Sequence, residues 1–595
     1  MSKEREKIDS IINSFNSGKS KEAYTEIKNI VKKNNKNLNY IYIFGLLSNK
    51  LGYEEEALKS FKFILSKEPK NINVIKNLYP ILIKKMILDE SKNLINQLIA
   101  ESPNNYNGLR DKAYVTYLEG DFKKALIQIN KALKIKNDEV FGINVKGLIL
   151  FNLNNFEESI IVFEKAIKID SKYADSYNNI GRCFIKLENL KQAFTFFKKT
   201  YRINPKSDLA ILNIANVLTL NDKYKLALKF YEKAKKINYN NKLIDENIVK
   251  CHIKLKNIDW VSNFIKSTSD IDKINQDIVL GYSYLLLTNK KFEEGFNIFD
   301  SRFKTKNFPN KNKYHDNLYQ KIKQLKNLDK NKNYLVVKEQ GVGDEILFSS
   351  MYNNIINKCK NLKIECDPRL VNIFKRTYGK NIFYNFGHFS SSPEKIAKFE
   401  NIIYSGSLTR YFRKNINDFE TKPFLKTLDS KDTEIEKKLY KYTKTKIIGI
   451  SWKSVVNIFG RLKSLKIDNF KTLFTDKRTF INLQYGDVNK EIEDFKNKGF
   501  NIYNFKEIDL YNDFESVMSL LKKIDVFVTV SNSTAHIAGA LGVPTILICP
   551  KKTSTYYYWD YDDGKTPWYN SINIVKFNKS IDQTMEKVNR LINSI

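Results

Sequence analysis

At 595 residues, 42% of them hydrophobic, the chain has material for several domains with large cores, which excludes a disordered polypeptide. Its 101 lysines and arginines against 66 acidic residues give a formal charge of +35, a balance that invites an anionic partner. The excess is mostly lysine, spread over nearly every segment and mixed with abundant asparagine, and no recognition motif accompanies it, so nucleic acid is not among the expected partners. Peripheral contact with an anionic membrane is compatible with it.

Five scattered cysteines (Cys183, Cys251, Cys359, Cys366, Cys549) form no CxxC pair. That spacing argues against a zinc site or a disulfide framework and for a reducing compartment; no metal site is expected. The N-terminal MSKEREKIDSIINSF is charged and lacks an apolar core, so it is not read as a signal peptide. No apolar run reaches the roughly 18 residues that a membrane helix needs. A cytoplasmic protein is expected.

Residues 1–241 repeat with a period of 34. Ala23, Ala57, Ser91, Ala125, Ser159, Ala193 and Ala227 hold one phase, and a large apolar residue follows each by four positions, from Ile27 and Phe61 to Phe197 and Tyr231. Small residues at a helix crossing allow close approach, the large residue fills the gap to the next unit, and Pro69, Pro103 and Pro205 mark breaks between units. The seven units match the tetratricopeptide pattern. Residues 242–303 keep the pattern only loosely and are expected to form degenerate helical pairs, with Phe292, Phe296 and Phe299 on one face. A curved array of this kind offers a groove for a protein or peptide.

Residues 304–332 read as a basic linker, after which β-rich runs alternate with helical ones, the signature of parallel α/β structure. Two halves are expected, 333–440 and 441–595, facing each other across a cleft. In the first, Tyr334–Lys338 predicts a strand, a turn containing Gly341 and Gly343 follows, and Glu345–Cys359 predicts an amphipathic helix leading to the strand Leu362–Cys366. The spacing is GxGD and not GxGxxG, so no dinucleotide fingerprint is present; the glycines permit a tight turn and close backbone approach to a ligand. Asp344 is placed either to accept a proton or simply to cap the helix.

In the second half, the strand Lys446–Trp452 runs into Lys453, with Arg461 and Lys463 in the next loop, and Phe480–Gln484 and Asn501–Phe505 read as further strands. Asp525–Pro550 reads as strand, polar turn, thin helix, turn and strand. Ser531, Asn532, Ser533 and Thr534 lie where a helix opens at the end of a strand, with His536 in its first turn, a place suited to an anion. Lys453 and Arg461 are candidates for neutralising phosphate.

Taken in order, EQGVGDEILFSS (339–350), SWKS (451–454), NLQYGD (482–487), VSNSTAHIAGALGVPT (530–545) and WYNS (568–571), preceded by FEEGFNIFDSRF (292–303) and the repeats, resemble the bacterial tetratricopeptide-repeat glycosyltransferases. Their catalytic region is similar to the lipopolysaccharide heptosyltransferases and, more distantly, to O-linked N-acetylglucosamine transferase. The resemblance covers about residues 276–580. It implies a GT-B fold of two Rossmann-like domains and inverting, metal-independent transfer of a sugar from a nucleotide diphosphate to a protein, peptide or glycan acceptor recruited by the repeats. The nucleotide sugar is a co-substrate and no cofactor is implied.

On that resemblance Asp344 matches the general base of the glycine turn. Lys453, Arg461, Gln484, Ser531, Asn532, Ser533, Thr534 and His536 match the donor side. Ser531 stands where many relatives carry an aspartate, which leaves the donor unspecified. The alternative is a repeat scaffold for protein interaction whose transferase-like domain does not turn over.

Overall fold

The computed structural model describes residues 2–595 except 240, 269, 306–326, 421, 441–444, 455–462, 550–554 and 578–579. Most of the linker expected at 304–332 lies outside the described residues, as does Arg461. The chain divides into two compact units, Met1–Ile244 and Asp245–Ile595.

The first unit is built of antiparallel helix pairs, among them Leu38–Lys50 with Glu54–Lys67 and Ala174–Lys186 with Leu190–Ile203. Within a pair, glycine on one helix seats phenylalanine on the other. A side-chain carbon at Gly147 would fall 2.4 Å from the Phe163 ring, and one at Gly181 would fall 2.6 Å from Phe197. Where serine replaces alanine at the crossing, its hydroxyl finds a partner: Ser159 Oγ donates to the Gly147 carbonyl at 2.8 Å.

Two further signals recur with the same period. The side chain of Asn71 accepts from the Val74 N–H at 3.2 Å, that of Asn105 from Gly108 at 2.8 Å and that of Glu139 from Gly142 at 2.7 Å, each capping the first helix of a pair. The turn inside each pair carries one left-handed residue, at Gly18, Gly52, Met86, Gly120, Asn154, Glu188, Asp222, Lys256 and Lys290. The side-chain pattern fades beyond Asn241, yet this backbone mark keeps phase through Lys256 and Lys290. Helical pairs therefore continue in the chain to a 3₁₀ turn, Phe299–Lys304.

In the second unit two wholly parallel sheets follow. The first comprises β1 (Asn333–Val337), β2 (Asn361–Cys366), β3 (Phe383–Asn385) and β4 (Asn401–Tyr404) in the order β3-β2-β1-β4. The second comprises β5 (Lys446–Ser451), β6 (Arg478–Asn482), β7 (Ile502–Tyr503), β8 (Val526–Val530), β9 (Thr545–Cys549) and β10 (Ile572–Lys576) in the order β10-β9-β8-β5-β6-β7. The β-branched runs of β8 and β9 are buried along their whole length, as central parallel strands covered on both faces require.

The helix expected over Glu345–Cys359 is two helices, Val342–Ser349 and Tyr352–Lys358, broken at Ser350 and Met351, and the strand expected over Asn501–Phe505 shortens to β7. The Phe292, Phe296 and Phe299 face does not look to solvent. It is buried in one core with residues of both sheets, Phe292 against Phe419 and Phe299 against Tyr557. All five cysteines are buried and outside any disulfide. Among the described residues no helix is long and apolar enough to cross a membrane.

Candidate functional site

Two strand-to-helix turns meet. At the end of β1 the chain turns through Glu339–Gly341 into the helix Val342–Ser349; at the end of β8 it turns through Ser531 and Asn532 into the helix Ser533–Leu541. A side-chain carbon on Gly343 would fall 2.7 Å from His536 Cδ2 and 3.5 Å from Ser533 Cα. Gly343 is therefore explained by the approach of the second helix. Gly341 is the N-cap with an ordinary φ of −88°, and the left-handed position of the turn falls on Gln340, at φ 59°.

Asp344 sits at the third helical position, where the nearby Gly341 N–H favours its charged form. Its other contact comes from far along the chain: Tyr558 Oη donates to Asp344 Oδ1 at 3.0 Å. Asp344 is half-buried, and desolvation pushes its carboxyl up to about 6 in spite of these two donors.

His536 is buried. The rings of Tyr558, Trp559 and Tyr569 surround it at centroid distances of 5.2, 4.9 and 5.9 Å, and its Nδ1 lies 3.2 Å from Tyr569 Oη. Burial, with Lys463 adding to it, holds the imidazole down to about 3, so it is uncharged at neutral pH. It contributes shape and a neutral ring, not the positive charge that a diphosphate would seek.

That charge sits on Lys463. Its side chain is buried, with Nζ 3.6 Å from the centroid of the Tyr556 ring. Desolvation lowers its amine to about 8 while the nearby Asp344 carboxylate opposes the shift. Among the described residues it makes no salt bridge. Sequence reasoning noted Lys463 only as a loop residue, and it passed over the aromatic run Tyr556–Trp559 that contacts Lys463, Asp344 and His536. Four consecutive aromatics after β9 were the available signal.

The remaining candidate residues fall into two groups. Ser531, Asn532 and Thr534 are buried and Ser533 is half-buried at the mouth of the helix. Asn532 caps it, accepting from the Ala535 N–H at 3.0 Å, while its amide donates to Ser451 Oγ at 2.8 Å. The N–H groups of Ser533 and Thr534 lie in the first turn, where a helix has no internal acceptor for them. Gln484 and Lys453 hold the strand ends. Gln484 Oε1 accepts from Ser451 Oγ at 3.0 Å and from the N–H groups of Trp452 and Lys453 at 2.9 and 2.6 Å. Lys453 Nζ pairs with Glu491, whose other oxygen accepts from Trp452 Nε1 at 3.0 Å. Ser451, Gln484 and Asn532 thus tie β5, β6 and β8 into one rigid edge. The structure brings Gly343, next to Asp344, against His536 and Ser533 and adds Lys463 near Asp344, while Lys453 pairs with Glu491 and Gln484 holds the strand ends.

A tetratricopeptide repeat profile matches residues 147–187, and a second covers 174–207. The chain contains tetratricopeptide repeats. Protein FlbA of Caulobacter vibrioides is 27% identical over 257 residues, which cover 40% of this chain and 42% of that protein; the chain spans less than half the length of this relative. A tetratricopeptide repeat protein from Parabacteroides merdae overlays with TM-score 0.37 at 18% identity, covering 41% of this chain and 96% of the other. A thermophilic TPR protein of Thermus thermophilus overlays with TM-score 0.28 at 15% identity, covering 31% of this chain and all of the other. Repeats of this kind commonly serve as protein-interaction scaffolds.

Proposed function

We propose that the second unit is a GT-B glycosyltransferase that transfers a sugar, with inversion, from a nucleotide-diphosphate donor to a protein, peptide or glycan acceptor held by the repeats. The observation that carries this reading is the meeting of the two turns. On the GVGD turn Gly343 packs against the helix that opens at the end of β8, and the next residue carries a carboxyl raised to about 6, with a buried lysine near it.

In the reaction, Asp344 takes the proton of the acceptor hydroxyl, whose oxygen attacks the anomeric carbon. The bond from that carbon to the diphosphate oxygen breaks, and the electron pair leaves with the nucleotide diphosphate. The growing charge is met by the N–H groups of Ser533 and Thr534, by the dipole of their helix and by Lys463. Ser531, Asn532 and the uncharged His536 shape the donor side. The location that suits this chemistry is the cytoplasm.

A second reading is a repeat scaffold whose transferase-like domain binds a nucleotide without turnover. It is favoured by Ser531 in the place of the relatives' aspartate and by the engagement of Lys453 with Glu491. One experiment separates the two. UDP-glucose, UDP-N-acetylglucosamine, GDP-mannose, GDP-fucose and an ADP-heptose are offered to the wild type and to Asp344→Asn, and release of nucleotide diphosphate is measured. The enzyme reading expects turnover of one donor, falling about 10³-fold in the variant with nucleotide affinity held within about threefold. Nucleotide binding with no turnover in either protein rejects it in favour of the scaffold.

A further inference from the structure

The FDSRF end of the helical array has no part in the chemistry above, yet it carries a buried arginine aimed at the turn that holds Asp344. Arg302 is 2% exposed, with its guanidinium between the rings of Phe299 and Phe303, at 4.2 and 4.1 Å from their centroids. Its Nε and Nη2 donate to the two carboxylate oxygens of Glu339, each at 2.8 Å. Nη1 donates to Asp300 Oδ1 at 2.6 Å and Nη2 also to Ser407 Oγ at 3.0 Å.

Glu339 is fully buried and accepts in addition from the Gly406 N–H beyond β4. A side-chain carbon at Gly406 would fall 2.2 Å from Glu339 Oε1, so that glycine is required by the pair. The residue after Glu339 is Gln340, left-handed at φ 59° without being glycine, a conformation that persists only where the surroundings impose it. The next three residues lead to Asp344.

We infer that Arg302 is a positioning residue: through Glu339 it clamps the strained Gln340 turn and so sets the place of the Asp344 carboxyl opposite the Ser533 helix. This inference rests on the transferase reading for its kinetic consequence but not for its structural one. The last helical pair is then part of the catalytic unit, and FDSRF belongs to the reaction through Glu339, not to recognition of a partner by the repeats.

The test uses the full chain with Arg302→Lys, which keeps the charge and loses the two-pronged geometry, and Glu339→Gln as a second variant. Hydrogen exchange is read over the amides of Gly341 to Glu345 and, as control, over Thr529 to Ala538. The expected result is exchange at least about tenfold faster in the turn and unchanged in the control. Donor turnover is expected to fall about 10²-fold in kcat with donor KM within about twofold, since the donor side is not displaced. Unchanged protection of the turn overturns the inference, as does loss of protection spread equally over both segments or loss of folding in both variants, each of which would make the pair a general structural element. If the wild type turns over none of the five nucleotide sugars named above, the transferase reading fails while the exchange measurement still decides the clamp.

Discussion

In the repeat array, the partners of a residue are written at fixed offsets along the chain. In the α/β unit, the contact that makes Asp344 chemically interesting comes from Tyr558, 214 positions away. Gly147 meets Phe163 and Gly181 meets Phe197 by the same local rule, whereas Lys463 becomes a buried cation only where Tyr556 folds back on it. The array is a sum of nearest-neighbour terms. The site depends on contacts between segments far apart in the chain.

Substitutions that break one region and spare the other sharpen this contrast. The largest effect belongs to Gly343→Val. Its side chain has no room against His536 and Ser533, so the two turns are forced apart, and turnover is expected to fall at least about 10²-fold in a donor assay. Gly181→Val intrudes on the Phe197 ring and is expected to destabilise the array by about 1–3 kcal/mol in a melting experiment, with nucleotide affinity of the second unit unchanged. Lys463→Ala removes the buried cation and is expected to weaken UDP or GDP binding about tenfold by calorimetry, while Lys453→Ala, already paired with Glu491, changes it less than about threefold. Asn105→Ala loses one helix cap, an expected cost of about 1 kcal/mol by denaturant titration.

The same contrast explains what could be read without a structure. The array was legible because its spacing is its contact map, and the buried strands were legible because β-branched runs are where central parallel strands lie. Two periodic signals in the array still escaped notice. The caps change between asparagine, at Asn71 and Asn105, and glutamate, at Glu139, and the left-handed turn is filled by residues as different as Met86 and Lys290.

In the α/β unit the two turns were found by their residues, but their functions were assigned by type. A lysine after a strand looked like the phosphate ligand, yet Glu491 engages Lys453, while the buried Lys463 makes no salt bridge among the described residues. A histidine in a first turn looked like a ligand, yet aromatic burial leaves His536 neutral. Gln484 matches the donor side by resemblance, and its side-chain oxygen holds three strand-end donors. Each of these outcomes depends on contacts between distant segments, which residue type alone does not encode.

In the proposed reaction Asp344 acts as the base, and its titration is set by this non-local arrangement. A base must be ionised, so turnover is expected to rise with pH up to about 6, tenfold per unit, and then level off, before Lys463 loses its charge above about 8. The hydrogen bond from Tyr558 lowers the Asp344 pKa, so removing it must raise that pKa. The most direct measurement is the pH–rate profile of donor turnover in the wild type and in Tyr558→Phe. The account predicts an acid limb near pH 6 that moves to higher pH in the variant; a limb that stays in place when the Tyr558 hydroxyl is removed would contradict it.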